Sequence, residues 1–124
     1  MVVDDDRFIL ASLQRSLRRV NEIDVTYFDN AAAALEYARE HHLDIIISDY
    51  KMPHIDGMEF MRRVSGMQSA ALRIMLSGDG EEEIADCDPA IHRFLRKPVA
   101  ADSLLAVISE LLVSCGSPDR SGQP

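Results

Sequence analysis

Leu43-Asp44-Ile45-Ile46-Ile47-Ser48-Asp49-Tyr50-Lys51-Met52-Pro53 is the stretch that decides the fold of this chain. Three consecutive isoleucines leave no polar face. A continuous apolar run of this kind is what a central parallel strand shows when helices cover both its faces. The run closes on Asp49, so a carboxylate stands where the strand ends. The same pattern recurs on either side. Upstream, Val2-Val3 precedes Asp4-Asp5-Asp6, and downstream Leu72 to Leu76 precedes Ser77-Gly78, while Ile91 to Leu95 leads to Lys97.

Helical patterns fill the gaps between these strands. Phe8, Ile9, Leu10, Leu13, Leu17 and Val20 recur at helical spacing, with Arg15, Arg18 and Arg19 on the other side. Ile23 to Phe28 reads as a second strand ending at Asp29-Asn30. Ala31 to Arg39 then holds strong helix formers, with Leu35 and Ala38 placed to face a sheet. Met58 to Val64 is helical in pattern, and Glu81 to Cys87 is a short helix cut off by Asp88-Pro89. From Asp102, an expected N-cap, the residues Leu104, Leu105, Val107, Ile108, Leu111 and Leu112 define a last amphipathic helix ending near Cys115-Gly116. Five βα units result.

Composition narrows the classes of function. A chain of 124 residues is the size of one domain, and 47% apolar with 27% charged residues is ordinary for a globular protein. No apolar run approaches the ~18 residues of a membrane span. The net charge of −8 opposes direct binding to nucleic acid, which needs a basic face. Cys87 and Cys115 lack metal-ligand spacing and no signal peptide precedes them, so reduced thiols and a cytoplasmic setting are expected. His41, His42, His54 and His92 are scattered without ligand spacing, and Glu81-Glu82-Glu83 reads as the solvated first turn of a helix. Ser117 to Pro124 is polar and rich in Ser, Gly and Pro. We therefore expect a domain over 1–115 and a disordered tail or linker stub over 116–124.

An open parallel sheet binds its ligands at the carboxyl ends of its strands, so residues distant in sequence can line one crevice. Asp4, Asp5, Asp49, Ser77 and Lys97 would meet there. One such aspartate alone reads as a turn or cap residue, and one such lysine as a solvated side chain. Their joint placement after separate strands argues for a site. Hard carboxylate oxygens suit Mg²⁺ together with a phosphate. Three carboxylates held together without a cation raise at least one pKa, which makes the cluster costly unless metal or lysine balances it. An aspartate can also attack phosphorus, with a cation and a hydroxyl balancing the equatorial oxygens.

These residues resemble the receiver domain of two-component response regulators, over the chain up to about Leu112. Val2-Val3-Asp4-Asp5-Asp6 is similar to the family's acidic motif. Ile47-Ser48-Asp49-Tyr50-Lys51-Met52-Pro53 with Asp56-Gly57 is similar to its phosphoacceptor segment, and Lys97-Pro98 to its lysine-proline. The resemblance implies a flavodoxin-like (βα)5 fold: a five-stranded parallel sheet in the order 2-1-3-4-5 with helices on both faces; Asp88-Pro89 departs from the family's pattern and makes the fourth helix short or irregular. It also implies Asp49 as phosphoacceptor, Mg²⁺ held by Asp5 and Asp49, by Asp4 through water and by the backbone carbonyl of Lys51, and Lys97 on the phosphoryl group. Ser77 and Phe94 would be the switch residues, and Pro98 would follow a cis peptide. Lys51 and Asp79 would pair across the pocket mouth and tune hydrolysis. The implied partners are a histidine kinase or phosphotransfer protein and an output domain or effector protein; a homodimer stays open, because Asp88-Pro89 interrupts the helix that forms the activated dimer face in many family members. Neither nucleic acid nor membrane is expected.

Two other classes compete. A Mg²⁺-dependent phosphohydrolase with an aspartate nucleophile would carry a second aspartate two residues later as general acid, and Lys51 stands there. A phosphate-independent interaction module has no need of the acidic pair, Asp49, Ser77 and Lys97 together. The reading is a signalling domain, not an enzyme, catalysing only its own phosphorylation and dephosphorylation.

Overall fold

Three polar residues start three of the helices. Asp6, Asn30 and Asp56 hold extended backbone, and their side chains accept from the N–H groups of Phe8, Ala33 and Glu59 at 2.8–2.9 Å. Each satisfies an amide that a helix start leaves without a carbonyl. The helices that follow are α1 (Arg7–Leu17), α2 (Ala31–Glu40) and α3 (Gly57–Met67). The last helix, α4 (Ala101–Ser114), begins one residue ahead of Asp102. Asp102 therefore lies in the first turn and is not the expected cap; its charge there still favours the positive end of the helix. The strands are β1 (Val2–Val3), β2 (Tyr27–Phe28), β3 (Ile45–Asp49), β4 (Leu72–Ser77) and β5 (Arg93–Arg96). This computed structural model describes residues 1–18, 20, 23–78 and 89–114. The helix expected over Glu81 to Cys87 and the tail over 116–124 lie outside the described residues.

All pairings are parallel, and the sheet order is β2-β1-β3-β4-β5. Strand alternation sorts the core into two layers. Val2, Ile47, Ile74 and Leu76 pack under α1 and α4, against Leu10, Leu13, Leu17, Leu104 and Leu111. Val3, Ile46 and Met75 pack on the other face against Ala34, Ala38, Phe60, Met61 and Val64 of α2 and α3. Helices thus cover both faces. No helix of the described residues is long and apolar enough to cross a membrane.

Two strands are shorter or shifted relative to the sequence pattern. β2 is confined to Tyr27–Phe28 because its neighbour β1 offers only Val2 and Val3 to pair with. Ile23 and Val25 still bury part of their surface against the α1/α4 layer. β5 starts at Arg93 and not at Ile91. At that position His92 meets β4 through both backbone and ring: its N–H donates to Arg73 O and its Nδ1 accepts from Arg73 N–H, both at 2.9 Å.

Candidate functional site

Register brings the strand ends level. Val3 pairs with Ser48 and Asp49 pairs with Leu76, so Asp4 and Asp49 emerge side by side with Ser77 next to them. Ser77 pairs with Arg96, and Lys97 N–H donates to Ser77 O at 2.8 Å, which carries Lys97 over the same edge. Its ammonium lies 2.7 Å from Asp49 Oδ1 and 3.3 Å from Asp4 Oδ2. Asp4 is fully buried, Asp49 is 7% exposed and Asp5 is exposed. One carboxylate oxygen from each of the three lies within 4.8 Å of the others.

Burial and charge set the electrostatics. Asp4 Oδ1 accepts from Asp6 N–H at 2.9 Å, whereas its buried Oδ2 has no hydrogen-bond donor among the described residues, only the charge of Lys97. Burial raises the Asp4 carboxyl above its ordinary range, with the Asp49 charge adding to the rise. Burial likewise raises Asp49, against the opposing pull of Lys97. Burial draws the Lys97 ammonium down, but its hydrogen bond to Asp49 and the charges of Asp4 and Asp49 together push it above its ordinary value. One cation among three carboxylates leaves an excess of negative charge. A donor set of hard oxygens with one buried oxygen lacking a donor fits a divalent cation.

The remaining residues from the sequence reading are placed as follows. Ser77 is fully buried, and its hydroxyl has no hydrogen-bond partner among the described residues. The Lys97–Pro98 peptide is cis. Lys51 follows the strand by two residues with an exposed side chain. Phe94 pairs with Met75 and lies half-buried against the α2/α3 layer. Asp79 lies outside the described residues. Gly57 received no role from sequence, yet it closes the site from below. Its N–H donates to Tyr50 O at 2.6 Å, and a Cβ there would fall 2.3 Å from Asp49 O. The sequence signal was the Asp56-Gly57 pair at the start of a helix, within the match to the phosphoacceptor segment.

An acidic cluster bridged by lysine at the carboxyl edge of a 2-1-3-4-5 parallel sheet defines a flavodoxin-like α/β domain whose carboxylates could hold a metal ion. Comparison with known proteins agrees: the model for the response regulator receiver domain matches residues 1–109, and the chain belongs to that family. Response regulator MprA of Mycolicibacterium vanbaalenii is 32% identical over 125 residues, covering 99% of this chain and 54% of that protein. MprA of Mycobacterium leprae is 34% identical over 114 residues, covering 90% and 50%. The chain thus spans about half the length of these relatives. Among solved structures, the signal receiver domain of an HD domain-containing protein from Pseudomonas fluorescens Pf-5 is 27% identical. It superposes with a TM-score of 0.83 over 94% of both chains. A receiver domain protein from Clostridium thermocellum is 26% identical, with a TM-score of 0.80 over 91% of this chain and 92% of that one. The chain is therefore a receiver domain of two-component signalling, not a classical enzyme.

Proposed function

We propose that this domain is a phosphorylation-operated switch in which Asp49 accepts a phosphoryl group from the phosphohistidine of a histidine kinase or phosphotransfer protein. The observation that carries the reading is the Lys97 ammonium 2.7 Å from Asp49 within the Asp4, Asp5 and Asp49 cluster. A carboxylate oxygen of Asp49 attacks phosphorus, the P–N bond to the donor imidazole breaks, and the electron pair leaves with the imidazole. Lys97 balances charge on the phosphoryl oxygens as the acyl phosphate forms. Asp4, Asp5, Asp49 and the carbonyl of Lys51 would hold Mg²⁺, which when bound offsets the negative charge of the phosphoryl group.

The buried Ser77 hydroxyl has a donor to spare and would give it to the new anion. Phe94, half-buried beside it on β5, would then turn inward. The switch works only because the phosphoryl group interacts better with one arrangement than with the other. Lys51 and Asp79 would tune the lifetime of the acyl phosphate. In this reading residues 1–115 form the receiver unit and 116–124 lead toward an output domain or effector, in the cytoplasm. Titration of the isotopically labelled chain with beryllofluoride and Mg²⁺, a mimic of the phosphoryl group, tests it by NMR. Ser77, Phe94 and Lys97 amides should shift in the wild type and stay still in Asp49→Ala. Unmoved amides in the wild type would overturn the switch.

A further inference from the structure

One charged residue sits where the β4 pattern calls for an apolar one. Arg73 is 6% exposed, between Leu72 and Ile74 in a strand whose other residues are all buried. Burial lowers its pKa, and no carboxylate partners it among the described residues. Among the described residues its guanidinium is held by backbone carbonyls. Nε donates to Ala90 O at 2.6 Å, and Nη1 donates to Ala71 O at 3.0 Å, Gln68 O at 3.2 Å and Ser69 O at 3.4 Å. A buried cation without a counter-ion is expensive, and an apolar residue of similar volume is often neutral or stabilising in its place. Among the described residues, then, charge pairing does not account for an arginine at this position.

Its contacts point to another role. Ala90 lies on the approach to β5, whereas Gln68, Ser69 and Ala71 form the turn before β4. The guanidinium therefore ties β5's base to the sheet. The His92 ring adds a second tie, since Arg73 N–H donates to its Nδ1 and His92 N–H donates back to Arg73 O, both at 2.9 Å. The imidazole supplies the acceptor that a longer β5 would have given. β5 needs such help: it is an edge strand of four residues, none of them fully buried. A slip of one residue would send Phe94 and Leu95 to the wrong faces and carry Lys97 off the site.

We propose that Arg73 and His92 are positioning residues, forming a latch at the base of β5 that sets its register on β4 and so delivers Lys97 to Asp49. The delivery rests on the reading of Asp49 as phosphoacceptor; the latch itself does not. The test compares wild type with Arg73→Met, Arg73→Lys and His92→Phe in the full chain. Amide hydrogen exchange is followed at Phe94 to Lys97 and, as an internal reference, at Ile46 to Ser48. In Arg73→Met, protection of β5 should fall about tenfold while β3 stays unchanged, with partial recovery in Arg73→Lys. Phosphoryl uptake from phosphoramidate should slow severalfold with the same half-saturating Mg²⁺, because the carboxylates stand on β1 and β3. Should Arg73→Met fail to fold, His92→Phe decides, with protection lost at β5 alone. Equal loss across β3 and β5, or β5 protection untouched in the folded variants, overturns the latch. No uptake by wild type would sink the reading of Asp49 as phosphoacceptor, and the exchange data would still judge the latch.

Discussion

Replacing Lys97 with methionine keeps most of the aliphatic stem and removes one ammonium. That ammonium lies 2.7 Å from Asp49 and 3.3 Å from Asp4, so both buried carboxylates lose the cation between them. Removing one partner of a buried ion pair costs about 3–5 kcal/mol. The Lys97 side chain is 23% exposed, which screens the pair, and the expected loss at neutral pH without divalent cations is about 2–3 kcal/mol. For a domain of this size that is a fall in Tm of about 8–12 °C.

The sign of the pH dependence gives a sharper test. Asp4 and Asp49 already titrate above their ordinary value of 3.8, and loss of the ammonium raises both further. Between 3.8 and the raised values the native variant binds protons that its unfolded chain does not. Acidification through that window therefore restores stability to the variant relative to wild type. Urea unfolding of both proteins at about pH 7.5 and about pH 4.5 reads this directly, with the deficit shrinking at the lower pH. A deficit equal at both pH values, or a variant more stable than wild type at the higher one, would refute the electrostatic account.

Other outcomes follow from neighbouring residues. Ser77→Ala removes a buried hydroxyl that has no partner among the described residues, and should raise stability by about 1 kcal/mol; a lower urea midpoint would contradict it. Gly57→Ala places a Cβ 2.3 Å from Asp49 O and 2.8 Å from Met75 Sδ, so it should cost about 2 kcal/mol or more. Mg²⁺ binding, followed by calorimetry, should weaken in that variant because the backbone of Asp49 must move. Burial and the charge of Arg73 hold the His92 ring below its ordinary pKa of 6.5. Its contribution to stability is therefore present above 6.5 and lost as pH falls through the native value. NMR titration of the ring checks this, and a pKa at or above 6.5 would contradict the Nδ1 acceptor geometry.

The doubly wound sheet was legible because each strand is a short apolar run that ends on a polar residue. Asp49 after Ile45-Ile46-Ile47 and Ser77 after Leu72 to Leu76 mark the edge where the site forms. Helix starts at Asp6, Asn30 and Asp56 are written in residues that cap amides. Strand extent was less legible, since it depends on the neighbour: Ile23 to Val25 has β-forming composition, but β1 is too short to pair with it. The shift of β5 was hidden because the His92 ring takes the place of a backbone acceptor. Arg73 was passed over inside an apolar run, although a charge in a strand buried on both faces was the signal. The three carboxylates could be grouped from sequence, but not the division between a buried Asp4 and an exposed Asp5. That division depends on how the turn after β1 folds back, with Asp6 N–H on Asp4 Oδ1.

The central claim is that Asp49 takes up a phosphoryl group in a Mg²⁺-dependent reaction. Intact-mass spectrometry of wild type and Asp49→Asn, each incubated with phosphoramidate with and without Mg²⁺, tests it most directly. The account predicts one added phosphoryl group on the wild type with Mg²⁺, and none without Mg²⁺ or in the variant. An unmodified wild-type chain, or an adduct that survives in Asp49→Asn, would contradict it.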